Sequence, residues 1–546
     1  MRDVSFKDIT IKDGFWGQRQ RINAETTVYA VWNRFKETGR FDVLRCEWQE
    51  GQPNRPHFFW DSDIAKWVES AACIIAKEPN WVLEAAIDEV VDLIEAHQGE
   101  DGYYNTYFTV VEPDGRFTDR FKHELYCAGH LIEAAVAYYE ATGKDKFLSL
   151  MRKYADYIDR VFRVEHAAVF NTPGHEEIEL ALVRLYRTTG EKRYLELSKY
   201  FIDERGKETF VEEFPFNEYY AQDHLPVREQ DTAEGHAVRV MYLFSAAADL
   251  AREYGDETLY AACRKIFDNI VTKRMYITGG VGAAHGTEAF TIDYDLPNLT
   301  AYAETCASIG LVFFARRMLT IEADSVYADI AEKVLYNGVL SGISLKGNAF
   351  YYPNPLEMRP EYYCCDTSLK NNRRLPLISG ERPAMFECAC CPPNLTRLIA
   401  SIGDYLYTYD KDTVYVHQYM ASTTDTLVNG KPVQIKQRTD YPRDGRVSLA
   451  VAGVNRIALR IPSWCDNYRI SIGGESADVT VKKGYAYIEV GEKGTDIEAE
   501  FEMKVRIMEA SPHIAEDAGR VAVQRGPIVY CLESVDNGPM LWDVRI

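Results

Sequence analysis

The sequence lacks the features that mark a nucleic-acid-binding or membrane-spanning protein. Acidic residues outnumber basic ones by 83 to 62, and the resulting net charge of -21 repels a phosphate backbone or an anionic membrane. No stretch approaches the roughly 20 apolar residues of a membrane helix, and no basic region followed by an apolar run opens the chain. We therefore expect no nucleic-acid or membrane partner and a cytoplasmic location. Nothing in the sequence fixes the oligomeric state, and a homodimer is left open.

Cysteine is present, but its arrangement is not that of a disulfide framework. The twelve cysteines are scattered at uneven spacings, unlike the compact set of a small secreted domain. Three of them, Cys388, Cys390 and Cys391, nevertheless fall within four positions. In a reducing compartment this crowding favours a metal site or catalysis, and a disulfide between the adjacent Cys390 and Cys391 would be strained.

The first two-thirds of the sequence repeats one pattern, in which an apolar-periodic helix is followed by a short turn and a second helix. Glycine ends the first three of these helices, at Gly143, Gly190 and Gly255, and supplies the left-handed cap that such an end requires. The spacing drifts too much for a solenoid of fixed repeats. We therefore expect a closed ring of inner and outer helices, an α/α toroid, over residues 1–408. The first helices of the four units span 125–142, 177–189, 237–254 and 306–321.

From about Asp410 the pattern changes to alternating, β-branched segments. Residues 413–417, 447–451 and 456–461 alternate as strands do, and Gly473-Gly474 marks a turn. This spacing is typical of an antiparallel β-sandwich, which we place at 409–505. The strand-like pattern of residues 506–546 predicts the start of a further or returning β unit, which looks incomplete.

The cysteine cluster has the composition of a zinc site. Zinc takes four ligands from Cys, His and carboxylate side chains. Cys390 and Cys391 reach one ion if the chain turns sharply, as the two following prolines encourage, and Glu304 and Cys306 supply the other two ligands. Residues two apart share a side only in an extended segment, so Glu304 is expected at or before the start of the helix near Cys306. A purely structural zinc is the alternative.

Other polar residues fall where a pocket would form at one end of the ring. Glu288 follows a glycine-rich loop, 278–282, and is a candidate general acid whose pKa partial burial would raise. His123, His175 and His236 each lie just before a predicted helix. Three histidines at equivalent ends of successive hairpins argue for one polar pocket.

Several of these motifs together resemble glycoside hydrolase family 127, the β-L-arabinofuranosidases. The resemblance covers nearly the whole chain and implies an (α/α)6 barrel followed by β-sandwich domains. It also implies a zinc ion held by Glu304, Cys306, Cys390 and Cys391. The motifs that carry it are Phe59-Trp60-Asp61-Ser62-Asp63, Gly129-His130-Leu131-Ile132-Glu133-Ala134, Thr278-Gly279-Gly280-Val281-Gly282, Glu304-Thr305-Cys306-Ala307-Ser308 and Cys390-Cys391-Pro392-Pro393-Asn394.

The resemblance further implies a retaining mechanism for removal of a terminal β-L-arabinofuranosyl group or a closely related sugar from a small glycoside. Cys390 would be the nucleophile and Glu288 the general acid/base. The resemblance also implies four sugar-contacting residues, and His130 is the alternative to His123 among them. These residues are His123, His175, His236 and Tyr352.

Two other hypotheses remain open from the sequence alone. One is an α/α-barrel hydrolase of unsaturated or acidic sugars that uses only carboxylates, such as Asp61, Asp63 or Asp101, with a structural zinc. The other is a carbohydrate-binding protein without catalysis. Cys388 adds a third thiol beside the pair and leaves the ligand assignment to be tested.

Overall fold

A computed structural model describes residues 1–207, 218–358, 380–385 and 388–545. Cys364 and Cys365, two of the twelve cysteines, lie outside these ranges, as does the start of the cysteine motif at Phe386-Glu387. No helix in the described part of the chain has both the length and the apolar character that crossing a bilayer requires.

The first 400 residues are mainly helical. The helices are α1 (Gly14–Ile22), α2 (Val28–Glu37), α3 (Trp60–Lys77), α4 (Trp81–His97), α5 (Thr106–Val110), α6 (Glu124–Thr142), α7 (Lys146–Asp159), α8 (Ile178–Thr189), α9 (Lys192–Glu204), α10 (Ala237–Tyr254), α11 (Glu257–Lys273), α12 (Thr305–Ile321), α13 (Ser325–Val334), α14 (Cys391–Ala400) and, near the end of the chain, α15 (Ser534–Asn537).

Six helices close a ring. Helix α3 packs on α6, α6 on α8, α8 on α10, α10 on α12, α12 on α14, and α14 returns to α3. Each inner helix also packs on an outer one, in the pairs α3–α4, α6–α7, α8–α9, α10–α11, α12–α13 and α14–α2. The inner helices α3, α6, α10, α12 and α14 are buried over most of their length, whereas the outer helices bury only one face. This arrangement is an (α/α)6 barrel, and it confirms the predicted fold class.

The predicted glycine caps are present at the turns of three hairpins. Gly143, Gly190 and Gly255 follow α6, α8 and α10 with φ of 75°, 74° and 63°, and each N–H bonds to the carbonyl four residues earlier. No other residue type takes this left-handed conformation without strain. The glycines therefore end the inner helices and let the chain reverse into the outer ones.

The remainder of the chain is β-rich. Its strands, with two from the N-terminus, are β1 (Arg2–Asp3), β2 (Ile9–Thr10), β3 (Tyr407–Tyr409), β4 (Thr413–Val416), β5 (Ser422–Val428), β6 (Lys431–Thr439), β7 (Arg446–Ala452), β8 (Arg456–Arg460), β9 (Tyr468–Ile472), β10 (Glu475–Ser476), β11 (Thr480–Lys482), β12 (Tyr485–Glu489), β13 (Thr495–Phe501), β14 (Val505–Glu509), β15 (Val521–Arg525) and β16 (Ile528–Tyr530).

These strands form two large sheets and one small sheet. One has the order β1-β3-β4-β8-β12-β11, the second β10-β9-β13-β7-β6-β5-β2, and the third β14-β15-β16. Buried residues alternate along the strands, as at Val447, Leu449 and Val451, and enter one core. One pair departs from the predicted antiparallel arrangement, since β4 runs parallel to β8. The chain passes through β5, β6 and β7 in the other sheet before it returns beside β4, and this crossover makes the pair parallel.

The N-terminal residues belong to both large sheets. Strand β1 pairs with β3 in one sheet, and β2 pairs with β5 in the other. The residues that precede the first helix therefore join the sandwich. The predicted division of the chain at residues 408 and 505 stays a prediction.

Candidate active site

The N-terminal ends of the inner helices meet at one end of the barrel. Four N-cap positions there carry polar or thiol side chains: His123 for α6, His236 for α10, Glu304 for α12 and Cys390 for α14. His175 lies two residues before the N-cap of α8. The unpaired N–H groups and the positive dipole ends of these helices favour anionic groups here.

Glu304, Cys306, Cys390 and Cys391 form one compact group. Their ligand atoms all lie within 4.8 Å of one another. Cys306 Sγ is 3.7 Å from Cys390 Sγ and 3.3 Å from Cys391 Sγ, and the latter two are 3.8 Å apart. Glu304 Oε1 is 3.5 Å from both Cys390 Sγ and Cys391 Sγ. This group could hold a metal ion. Cys388 is not part of it.

The local backbone explains how residues distant in sequence converge. Glu304 is extended, with φ -56° and ψ 138°, and α12 begins at the next residue, so Glu304 and Cys306 reach the same side as predicted. Cys391 opens α14 and is followed by two prolines in the first turn, where their missing N–H groups cost no hydrogen bond. The turn at Cys390 thus presents two adjacent thiols to one point.

The group is buried and contains an unsatisfied atom. Glu304 is 1% exposed, and its Oε2 has no hydrogen-bond partner among the described residues. Burial, together with the nearby thiol of Cys390, raises the pKa of Glu304 well above its usual range. Burial raises the pKa of Cys391 as well. At Cys306 burial acts in the same direction, but bonds with Cys390 and Cys391 outweigh it and lower the pKa to about 6. A buried carboxyl oxygen without a partner, beside three converging thiols, is the donor set of a metal site.

Glu288 lies beside this group, in the turn closed by the isolated β-bridge between Ala284 and Ala289. Ala284 and Ala289 pair across the turn, and Glu288 takes a left-handed conformation with φ 55°, a strained state for this residue type. Its carbonyl accepts a hydrogen bond of 2.9 Å from the N–H of Ala237, the first residue of α10. Its carboxylate, with His236 and Glu304, forms a second cluster whose ligand atoms lie within 4.8 Å.

His236 fixes the carboxylate of Glu288. Its Nε2 is 2.7 Å from Glu288 Oε2, and its Nδ1 accepts a hydrogen bond of 3.2 Å from the Val238 N–H. Because Nδ1 needs its lone pair for that bond, the ring proton resides on Nε2, which donates to Glu288. Burial raises the pKa of Glu288, but His236 and Tyr302 outweigh burial and lower it below the usual value. The expectation of a raised pKa was therefore wrong.

The histidines form a row across the mouth of the barrel. The ring centroids of His123 and His175 are 5.6 Å apart, and those of His175 and His236 are also 5.6 Å apart. His130, the alternative to His123, is fully buried and lies 3.0 Å from Glu177. Burial lowers the pKa of His123 to about 3 and that of His175 well below its usual value. Burial thus disfavours the charged form of each ring in the row.

Tyr352 closes the other side of the metal-binding group. Its carbonyl accepts a hydrogen bond of 3.0 Å from Thr305 N–H in the first turn of α12. Its ring centroid is 5.9 Å from that of Tyr302, and its hydroxyl is 3.8 Å from Cys388 Sγ. Cys388 thus lies beside the four ligands without being one of them, and a hydrogen bond with Cys390, together with burial, raises its pKa.

Sequence reasoning missed three residues of this region. Tyr126 packs its ring 4.2 Å from that of His175, and the cation of Arg239 lowers the pKa of His123 and His175. Both lie three residues after a predicted histidine, on the same helical face, and this spacing could have revealed them. Tyr302 lies two residues before Glu304, the spacing that places residues of an extended segment on one side.

The carboxylates of the alternative hydrolase hypothesis serve the structure. Asp61 accepts hydrogen bonds from the N–H and hydroxyl of Thr106, and Asp63 pairs with Arg40 at 2.9 Å. Asp101 caps a turn by accepting from the Tyr103 N–H. Each of these three carboxylates therefore has a structural partner.

Comparisons with known proteins identify the family. The model of the GH127 β-L-arabinofuranosidase catalytic domain matches residues 8–404, that of the middle domain residues 413–503, and that of the C-terminal domain residues 505–546. The chain belongs to glycoside hydrolase family 127. It is a glycoside hydrolase.

Relatives of known activity and of known structure support the same family assignment. The chain is 41% identical over 522 residues to a non-reducing end β-L-arabinofuranosidase of Bifidobacterium longum subsp. longum, a match that covers 89% of this chain and 77% of the relative. A crystal structure of a GH127 β-L-arabinofuranosidase from Geobacillus stearothermophilus T6 superposes with a TM-score of 0.92 at 44% identity, covering 97% and 87% of the two chains. A second GH127 β-arabinofuranosidase structure gives 0.89 at 37% identity, with 98% and 86% covered.

Proposed function

We propose that this chain is a retaining exo-β-L-arabinofuranosidase with Cys390 as nucleophile and Glu288 as general acid/base. The observation that carries the proposal is the convergence of three thiols and Glu304 beside the His236–Glu288 pair. The β-L-arabinofuranosidase activity of the relatives at 41% and 44% identity supports the sugar.

We assign zinc to the group formed by Glu304, Cys306, Cys390 and Cys391. A tetrahedron with zinc–sulfur bonds of about 2.3 Å and a zinc–oxygen bond of about 2.0 Å has S–S edges of about 3.8 Å and S–O edges of about 3.5 Å. The S–S separations here are 3.3 to 3.8 Å and both S–O separations are 3.5 Å. Three soft donors also favour zinc over magnesium or calcium. When bound, zinc supplies the positive charge that keeps the thiols ionised near neutral pH.

The reaction then proceeds in two displacements. The Cys390 thiolate attacks the anomeric carbon while the bond to the leaving oxygen breaks, and Glu288, reacting in its protonated form, transfers that proton to the leaving oxygen. A glycosyl-cysteine forms. Glu288, now ionised, takes a proton from water, whose oxygen attacks the anomeric carbon and displaces the Cys390 sulfur. Two inversions at one carbon retain its configuration.

The uncharged residues of the pocket bind the sugar. His123, His175 and Tyr352 offer neutral donors or acceptors for hydroxyl groups, and His236, whose two ring nitrogens already bond to Glu288 and Val238, offers its ring. A neutral furanose brings no charge that would need a counter-ion. The lowered pKa values of His123 and His175 support this role, because burial disfavours the charged form of both rings.

Hydrolysis of p-nitrophenyl β-L-arabinofuranoside by wild type and Cys390→Ser tests the proposal. We expect turnover by wild type and a loss of at least about 10³-fold in kcat/KM for the variant, since a hydroxyl is a far weaker nucleophile than a thiolate. Cys465→Ser, which changes a thiol of the β-sandwich, should keep wild-type activity. The α-anomer and other pentofuranosides report the sugar specificity, and the zinc content of each protein reports the metal. A Cys390→Ser variant that folds and remains active would refute the thiolate mechanism.

A further inference from the structure

Lys66 is a fully buried ammonium inside the helical ring. It lies in α3 with no solvent exposure, and its Nζ donates a hydrogen bond of 2.7 Å to the Tyr126 hydroxyl. Among the residues that the structure describes, no carboxylate oxygen lies within 4.0 Å of Nζ. A buried cation in this state is costly unless an anion nearby balances it.

Lys66 differs in this from other fully buried cations of the protein. Arg40 lies 2.9 Å from Asp63, and Arg460 bonds directly to Glu332. These pairs bring their own counter-charge. Within the described part of the chain the ammonium of Lys66 bonds to a neutral hydroxyl, so its counter-charge lies beyond direct contact.

The position of Lys66 in α3 places it beside the metal-binding group. Ser70, one helical turn further on, donates a hydrogen bond of 3.2 Å to the carbonyl of Pro393, in the first turn of α14. Lys66 therefore lies one turn nearer the end of α3 at which Cys390 precedes α14.

We propose that Lys66 is the counter-charge of the metal-binding group and so a positioning residue for its metal. Four ionised donors around one divalent cation retain about two negative charges, which the buried ammonium partly balances. Tyr126 holds the ammonium in place through its hydroxyl. The inference rests on the zinc centre of the proposed function.

Glu177 is the competing anion. Its carboxylate is fully buried with His130 Nδ1 at 3.0 Å, and burial raises its pKa while Arg397 and, more weakly, Lys66 act in the opposite direction. If Lys66 were the counter-charge of Glu177, its loss would lower the stability of the fold and leave metal binding unchanged. A double variant separates the two roles.

The test measures transfer of zinc from the loaded full-length protein to a chromophoric chelator. We expect Lys66→Met to release zinc on the order of 10 to 100-fold faster than wild type, as loss of an outer-shell partner does elsewhere. Tyr126→Phe, which keeps the ammonium and the ring, should shift release in the same direction by less. Lys333→Met, which changes a partly buried lysine of α13, should match wild type.

Three results would overturn the inference. One is a wild-type release rate in Lys66→Met or, where that variant does not fold, in Tyr126→Phe. A second is recovery of the wild-type rate in Lys66→Met/Glu177→Gln, which would make Glu177 the partner. Wild-type protein that holds no zinc would instead remove the proposed centre and the inference with it.

Discussion

Glu288 owes its position to its backbone as much as to its side chain. Its left-handed φ of 55° and the hydrogen bond from Ala237 N–H to its carbonyl turn the carboxylate back to His236. Strain of this kind persists where the surroundings determine the conformation, and it is common at functional sites. The carboxylate therefore meets the leaving oxygen in a fixed orientation.

The acid role of Glu288 predicts a dependence on the leaving group. In Glu288→Gln, kcat/KM for a disaccharide should fall by about 10² to 10⁴-fold, because the sugar alkoxide needs a proton as it leaves. The loss in kcat/KM for the p-nitrophenyl glycoside should be smaller, since p-nitrophenolate leaves unprotonated. Steady-state kinetics with both substrates check this, and equal losses would argue against proton donation by Glu288.

His417 predicts a pH-dependent stability that is independent of the active site. It is buried in the sandwich, with its ring nitrogens 2.8 Å from Thr408 Oγ1 and 2.7 Å from the Tyr485 hydroxyl, and burial and Arg460 lower its pKa to about 3. The unfolded chain binds this proton from about pH 6.5 downward, so His417 reduces the free energy of unfolding as pH falls from about 6.5 to about 3.

His417→Gln removes that contribution. The slope of the unfolding free energy against pH should become shallower by up to about 1.4 kcal/mol per pH unit between pH 6 and 4. Urea unfolding of both proteins across this range gives the slopes. Parallel pH profiles for wild type and variant would contradict the prediction.

At the residue scale, the sequence predicted which side chains come together. It did not predict how the surroundings shift their pKa values. The adjacent thiols and the Glu304–Cys306 spacing are local patterns, and the structure brings all four side chains together. The pKa of Glu288 depends on His236, which is 52 residues away, and no local pattern carries that information. The sequence around Lys66 likewise does not indicate which charges lie near it in the folded protein.

At the scale of elements, strand β8 is fastened to helix α13 by a buried charge network. Arg460 is fully buried and bonds to Asp329 and Glu332 at 2.5 Å each, and Trp464 Nε1 donates to Glu332 at 3.0 Å. This network joins the sandwich to the outer wall of the barrel. Removing one partner leaves the opposite charges buried and unpaired.

Arg460→Met should therefore lower the free energy of unfolding by about 3 to 5 kcal/mol. Arg443→Met offers a control, since Arg443 is 75% exposed and its 3.9 Å pair with Asp440 contributes about 0 to 1 kcal/mol. Chemical denaturation of the three proteins gives the difference. A cost below about 1 kcal/mol for Arg460→Met would show that the network does not hold the two parts together.

The hairpins of α6, α8, α10 and α12 could be predicted because helix, turn and helix are adjacent in sequence. The identity of the helices that complete the ring could not, since the outer partner of α14 is α2, far earlier in the chain. The parallel pairing of β4 with β8 was missed for the same reason, because three strands of the other sheet lie between them. Local patterns predict elements, and contacts between distant segments decide how the elements close.

At the scale of the whole molecule, the active site is a consequence of the ring. Five inner helices each place a site residue at or just before their first turn, and only the closed barrel brings these five ends together. The N-terminus pairs with both large sheets through β1 and β2, two-residue strands too short to show a sequence pattern. The predicted class of fold, a helical barrel followed by a β-sandwich, is confirmed.

The central claim is that the sugar is transferred to Cys390. Incubation of Glu288→Gln with p-nitrophenyl β-L-arabinofuranoside tests it directly, because the first displacement needs no acid with this leaving group and the second lacks its base. We predict a burst of about one p-nitrophenol per active site and an intact mass increased by one pentosyl group, which peptide mapping assigns to Cys390. An adduct on a carboxylate, or complete turnover without an adduct, would contradict the account.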